Sequence, residues 1–212
     1  MATNWTAIAS LATAAGTLTL AAATFASIRS ANSAARTAER AFQVGLRPVL
    51  FPSRLDDASQ KVRWMDDHWA HVPGGRATME EVDQNLYMAM SLRNVGSGIA
   101  VLHSWRARRL HRDSPQERPP LEEFRPQTRD LYVPPGDISF WQAAIRDDGY
   151  RELPDLQDAI HSRDAITVDL LYGDHEGGQR TISRFVVVPR EDEGDWLCTV
   201  GRHWNLDRTD PR

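Results

Sequence analysis

Three short runs in this 212-residue chain bring together side chains able to bind a metal ion or move a proton. The first is Tyr172-Gly173-Asp174-His175-Glu176-Gly177-Gly178. Asp174, His175 and Glu176 offer two carboxylates around an imidazole, donors that zinc accepts and that a metal-dependent hydrolase uses to activate water. His203, from Arg202-His203-Trp204-Asn205, would supply a further ligand from elsewhere in the chain. Adjacent loop residues seldom converge on one ion, however. The same run also reads as a hairpin turn in which Asp caps and Gly supplies positive φ. The second run is Asp66-Asp67-His68 with His71. On a helix His68 and His71 would share a face, but Pro73-Gly74-Gly75 follows at once and favours a polar loop. The third is the C-terminal Arg202–Asp207 run. There Trp204 either forms a small ligand platform with His203 and Asn205 or packs the tail onto the domain, and its large apolar area favours packing.

The remaining candidates are weaker. Cys198, the lone cysteine, excludes an internal disulfide; with Trp196 and Val200 it reads as an inward-facing filler of a strand. Gly96 and Gly98 lack the third glycine, the lysine and the following helix of a phosphate loop. Arg106, Arg108, Arg109, His111 and Arg112 form the densest basic run. On a strand Arg106 and Arg108 would share a face, with Arg109 opposite, and beside a membrane such a patch could touch anionic headgroups. No His-Glu-x-x-His, paired-cysteine or Gly-x-Ser-x-Gly motif occurs. The expectation is therefore no metal, no cofactor and no catalytic site. Asp174, His175, Glu176 and His203 are the residues of the alternative, a small metal-dependent hydrolase.

Most of the elements that must position these residues alternate with a period near 2. Residues 47–53, 86–92, 99–105, 137–142, 165–172, 180–188 and 196–200 read as strands, and 154–162 as one or two helical turns. Asn94–Gly98 reads as a turn that would join 86–92 to 99–105 in a hairpin, and Asp174–Gly178 as a second hairpin turn. Residues 111–129 carry four prolines and read as a surface loop, while 56–83 fit an extra hairpin or an ordered loop. About seven short strands joined by turns predict a mainly β chain, an antiparallel immunoglobulin-like β-sandwich over residues 47–212.

Ahead of it lies a different composition. A quarter of the chain is charged, yet no charged side chain occurs from Met1 to Ile28. Trp5 to Ile28 would span about 36 Å as a helix, enough for a hydrocarbon core of about 30 Å. The domain expectation is a transmembrane helix over 1–28 and a basic juxtamembrane helix over 29–46, ending at Gly45 and Arg47-Pro48. Arg29, Arg36, Arg40 and Arg47 follow the apolar stretch and no Lys or Arg precedes it, which puts the globular domain in the cytoplasm. Small residues every four positions (Ala12 and Gly16; Ala15, Thr19 and Ala23) permit a homodimer through the helix. The formal charge of -4 divides into +3 for residues 29–47 and -7 for the rest of the chain. An acidic body argues against a nucleic-acid partner.

Arg47-Pro48 before the first strand and Asn94-x-Gly96-x-Gly98-x-Ala100 after another, behind an uncharged Ala-rich helix, resemble a layout found in bacterial single-pass membrane-anchored proteins with a C-terminal β-sandwich-like domain. The resemblance implies fold and location and carries no activity. The functional expectation is a non-catalytic, membrane-tethered interaction or accessory protein in the cell membrane. It would be held there by residues 5–28 and would act through a protein partner. A secreted ligand-binding domain, released by signal cleavage, is the other alternative.

Overall fold

The computed structural model describes residues 4–111, 116–146, 149–190 and 194–208. The chain divides into two compact units, Met1–Val44 and Gly45–Arg212.

The first unit is helical. One helix, α1, runs Trp5–Gly45, so the expected apolar and basic segments form one continuous element. It contains a stretch long and apolar enough to cross a membrane, and Trp5, Ile8, Leu11, Leu18, Leu20, Phe25 and Ile28 are all exposed on it. Five of the hydroxyls that dilute its hydrophobicity are satisfied within the helix. Ser10, Thr13, Thr17, Thr19 and Thr24 each donate to the carbonyl four residues back, at 2.7–2.9 Å. This lowers the cost of placing them in lipid.

The second unit contains eleven strands among its described residues: β1 Leu50–Pro52, β2 Gln60–Arg63, β3 Trp69–Val72, β4 Arg76–Val82, β5 Asn85–Asn94, β6 Ala100–Arg109, β7 Arg125–Val133, β8 Ile138–Ile145, β9 Ile166–Gly173, β10 Thr181–Pro189 and β11 Trp196–Asn205. A helix, α2, covers Leu153–His161, and a single 3₁₀ turn covers Leu121–Glu123. All pairings are antiparallel. Nine strands form one sheet in the order β1-β5-β4-β11-β10-β9-β6-β7, with β8 on the other edge of β5. The sheet curls into a half-barrel that brings β7 toward β8, where Gln127 Nε2 donates to the Gln142 carbonyl at 2.9 Å. Its inner face holds Leu86, Met88, Met90, Leu92, Trp141, Ile166, Val168, Leu170, Phe185, Val187 and Trp196, all nearly or fully buried. Each large side chain so buried contributes about 1.5–3 kcal/mol. Hairpin β2–β3 packs Val62, Trp64, Ala70 and Val72 on Tyr87 and Ala89, on the outside of β5, and Trp64 Nε1 donates to the Ala143 carbonyl at 3.0 Å.

The mainly β, antiparallel character matches expectation, and several local readings need correction. β5 and β6 are not a hairpin: β5 pairs with β4, β8 and β1, and β6 with β7 and β9. The Asn94–Gly98 turn instead serves as a clasp for residues 46–49. Asn94 Oδ1 accepts from Val49 N and Gly96 N, and its Nδ2 donates to the carbonyls of Gly98 and Val133. A Cβ on Gly98 would lie 1.7 Å from Leu46 O and one on Gly96 2.4 Å from Arg47 O, so both positions demand glycine. The two motifs behind the resemblance, Arg47-Pro48 and Asn94-x-Gly96-x-Gly98, thus meet in space.

Residues 125–129, expected in a loop, begin β7. β4 was not expected, and it turns into β5 through Asp83 and Gln84, both at positive φ, as a two-residue hairpin requires. β11 continues to Asn205 because a bulge at Gly201 resets its alternation: Phe185 faces Val200 while Arg184 faces Arg202. Trp196, Cys198 and Val200 belong to the inner core, yet Trp204 comes out on the opposite face.

Candidate functional site

The strongest convergence of chemistry lies on the outer face of β6, β9 and β10. Strand register places Arg106 opposite Asp169, Asp169 opposite Arg184, and Arg184 opposite Arg202, giving one row of charge across four strands. Asp169 is 1% exposed. Its Oδ2 accepts from Arg106 Nη2 at 2.8 Å and its Oδ1 from Arg184 Nε at 2.7 Å. A carboxylate so deeply buried is tolerable only with such charge-assisted bonds, and removing either partner type would strand an ion. Glu123, on the 3₁₀ turn, reaches in from the covering segment to pair with Arg106 and, at 3.4 Å, with Arg108. Arg184 and Arg202 stack their guanidinium groups on the buried Trp204 ring at 5.0 and 5.3 Å from its centroid. Between this face and the segment 117–123 lies a cavity of about 220 Å³ lined by Arg106, Arg108, Arg118, Arg184, Glu117 and Glu123.

A second network faces inward from the same strands. Leu50 N–H donates to Tyr172 Oη at 3.1 Å, Tyr172 and Ser183 share a hydrogen bond of 2.8 Å, and Ser183 Oγ meets His203 Nδ1 at 2.6 Å. Burial raises the Tyr172 phenol above its usual pKa, so it is a neutral hydroxyl at physiological pH. Ser183 is fully buried, which withholds it from any substrate. This network is structural.

Asp174 is buried and its Oδ1 accepts from the backbone N–H of Glu176 and Gly178, closing the β9–β10 turn with Gly177 at φ +83. His175 and Glu176 are exposed, with His175 Nε2 3.3 Å from Glu176 Oε1. His203 is instead committed to Ser183 and packs its ring 5.2 Å from Phe51. Among the described residues no group of three His, Cys, Asp or Glu is placed to hold a metal ion. The hydrolase arrangement is therefore not assembled, because Asp174 is consumed by its own turn.

His68 stacks on Tyr87 at 4.1 Å and meets Glu80 at 3.1 Å, while His71 lies on β3 opposite Lys61. Beside them, burial acts to raise the Asp66 carboxyl, but hydrogen bonds from Tyr87 and Arg146 outweigh it and hold the pKa at about 2. Cys198 is buried with its Sγ 3.8 Å from Met90 Sδ, and burial pushes its thiol far above the usual range. Arg106 and Arg108 share the outer face as expected. Arg109 pairs with Asp164 and Asp155, His111 approaches Asp155 at 3.5 Å, and Arg112 lies outside the described residues. The basic run is thus largely answered by carboxylates rather than offered as an open patch.

Asp169 and Arg184 escaped the sequence reading. Each is the one charged residue in the middle of its strand, Ile166–Gly173 and Thr181–Pro189, and a buried charge announces a partner.

Compared with protein-family models, curated proteins and solved structures, the chain matches none.

Proposed function

We propose that the chain is a single-pass, membrane-tethered binding protein of the cell membrane, acting through a protein partner and without catalysis of its own. The observation that carries this reading is α1, whose uncharged stretch is long and apolar enough to cross a bilayer and five of whose hydroxyls there are satisfied inside the helix. Arg29, Arg36, Arg40 and Arg47 follow that stretch, which favours a cytoplasmic β domain. The two arms of the curled sheet enclose one core as the layers of an immunoglobulin-like sandwich do, and such scaffolds serve recognition through their faces and loops. The geometry of Asp174, His175, Glu176 and His203 lends the hydrolase no support.

The test is membrane fractionation of the expressed full chain. It should stay in the pellet through an alkaline carbonate wash with its N-terminal segment intact by mass spectrometry. Release by the wash, or loss of the first 28 residues, would overturn the tether. Protease protection in sealed vesicles reads the side on which the β domain lies. Affinity capture from solubilised native membranes should yield a partner in fixed stoichiometry, and a chain that purifies alone overturns that part. Self-association through the small-residue rows of α1 is read by the same preparation with Gly16→Leu, which should leave a monomer if the helices pair there.

A further inference from the structure

We propose that the cavity on the outer face of β6, β9 and β10 binds a phosphate group, presented by a small soluble phosphate or by a phospholipid headgroup. Four guanidinium groups, from Arg106, Arg108, Arg118 and Arg184, line it. Two carboxylates, Asp169 and Glu123, serve three of them. Asp169 is buried and fixed between Arg106 and Arg184, so it cannot leave. Glu123 differs: its side chain is 46% exposed and stands on a single 3₁₀ turn. It occupies the place between Arg106 and Arg108 that an external anion would take. Arg106 is itself over nine-tenths buried, and its Nε has no hydrogen-bond partner among the described residues. A buried guanidinium with an unused donor, beside a cavity, has capacity that the fold leaves open.

Shape and charge select among anions. The cavity of about 220 Å³ has room for roughly seven waters at ~30 Å³ each, which fits a phosphate with a few attached atoms. A phosphate ester carries close to two charges at neutral pH and three terminal oxygens, enough to engage guanidinium groups from more than one direction, whereas a carboxylate offers one edge. With Glu123 turned outward, Arg106 and Arg108 would each lose a carboxylate partner beside the cavity, while Asp169 stays on Arg106 and Arg184. Glu123 thus acts as a resident competitor that a phosphate displaces.

The experiment is calorimetric titration of the full chain in neutral detergent at fixed ionic strength, with inorganic phosphate as the probe. Saturable binding is expected. Glu123→Gln removes the competitor and should tighten binding about threefold, the equivalent of a partly exposed ion pair. Arg118→Ala, at the exposed rim and away from the buried pairs, should weaken it about fivefold. Titration with dibutyryl phosphatidic acid separates the sources: tighter binding than inorganic phosphate assigns a lipid headgroup, and equal or weaker binding assigns a soluble phosphate. Absence of saturable binding in both the wild type and Glu123→Gln, each with an intact thermal transition, overturns the proposal. So does an affinity that neither variant moves.

Discussion

Strands β9 and β10 carry two polar networks back to back, and they are built on opposite rules. On the inner face Leu50 N–H, Tyr172 and Ser183 form a chain of neutral donors and acceptors that ends on the His203 ring. On the outer face Arg106, Asp169, Arg184 and Glu123 form a charged cluster in which Arg106 Nε has no hydrogen-bond partner among the described residues. The difference follows from where each network sits. Inside the core an unmet polar group costs the full desolvation penalty, and there the Leu50 N–H and the Tyr172 and Ser183 hydroxyls all find partners. Beside a cavity an unmet donor can still be met by something that arrives. A closed polar network specifies structure, and an open one leaves room for a ligand.

The largest effect that could break this contrast is expected at Asp169. Asp169→Ala would leave Arg106 and Arg184 facing one another without their shared carboxylate, at a cost of about 3–5 kcal/mol in denaturant unfolding. Tyr172→Phe removes one hydroxyl from the inner chain and leaves Leu50 N–H and Ser183 short of a partner, costing about 1–3 kcal/mol in the same assay. If Tyr172→Phe proved the costlier of the two, the contrast between charged and neutral networks would be reversed.

A smaller effect sharpens the contrast by moving the same ion-pair chemistry into solvent. Asp66 pairs with Arg146 at 2.8 Å near the surface, and although burial acts to raise its carboxyl, Tyr87 and Arg146 hold the pKa at about 2, below the ordinary 3.8. Because the folded pKa is lowered, its stabilisation is complete above about pH 4 and is lost as pH falls toward 2. Carboxyl NMR should follow that titration, and Arg146→Gln should move it back toward 3.8. The smallest effect belongs to the exposed loop. His175→Ala and Glu176→Ala should each change stability by less than about 0.5 kcal/mol, since neither side chain is buried.

Legibility from sequence tracked how local the determinants are. β5, β9 and β10 could be read because Leu86, Met88 and Met90, then Ile166, Val168 and Leu170, alternate within a few residues. The Asp174–Gly178 turn was legible for the same reason, with Asp and Gly serving it within five positions. β4 was not, because Arg76–Val82 mixes polar residues into both faces and turns through Asp83-Gln84 without a glycine. The outer charge cluster was hidden by distance along the chain. Arg106 and Asp169 are 63 positions apart, and only the β6–β9 register brings them together. The expected last strand stops at Val200, five residues short of its end at Asn205, because the bulge at Gly201 breaks the period-2 alternation there.

The clasp around Asn94 has a mechanical consequence. If α1 is anchored and a partner pulls on the β domain, tension enters the second unit at residues 46–50. There it meets a set of short cross-links: Ser97 N to Arg47 O at 3.0 Å, Val49 N to Asn94 Oδ1 at 3.1 Å, Val95 N to Val49 O at 2.8 Å, and Leu50 N to Tyr172 Oη at 3.1 Å. Arg47 adds a side-chain bond to Asn205 at the end of β11. Force is thereby shared among the turn after β5, the core tyrosine and the last strand before it can peel β1 away. Under such a load the junction would act as a strain relief, holding the domain against being unravelled from its first strand.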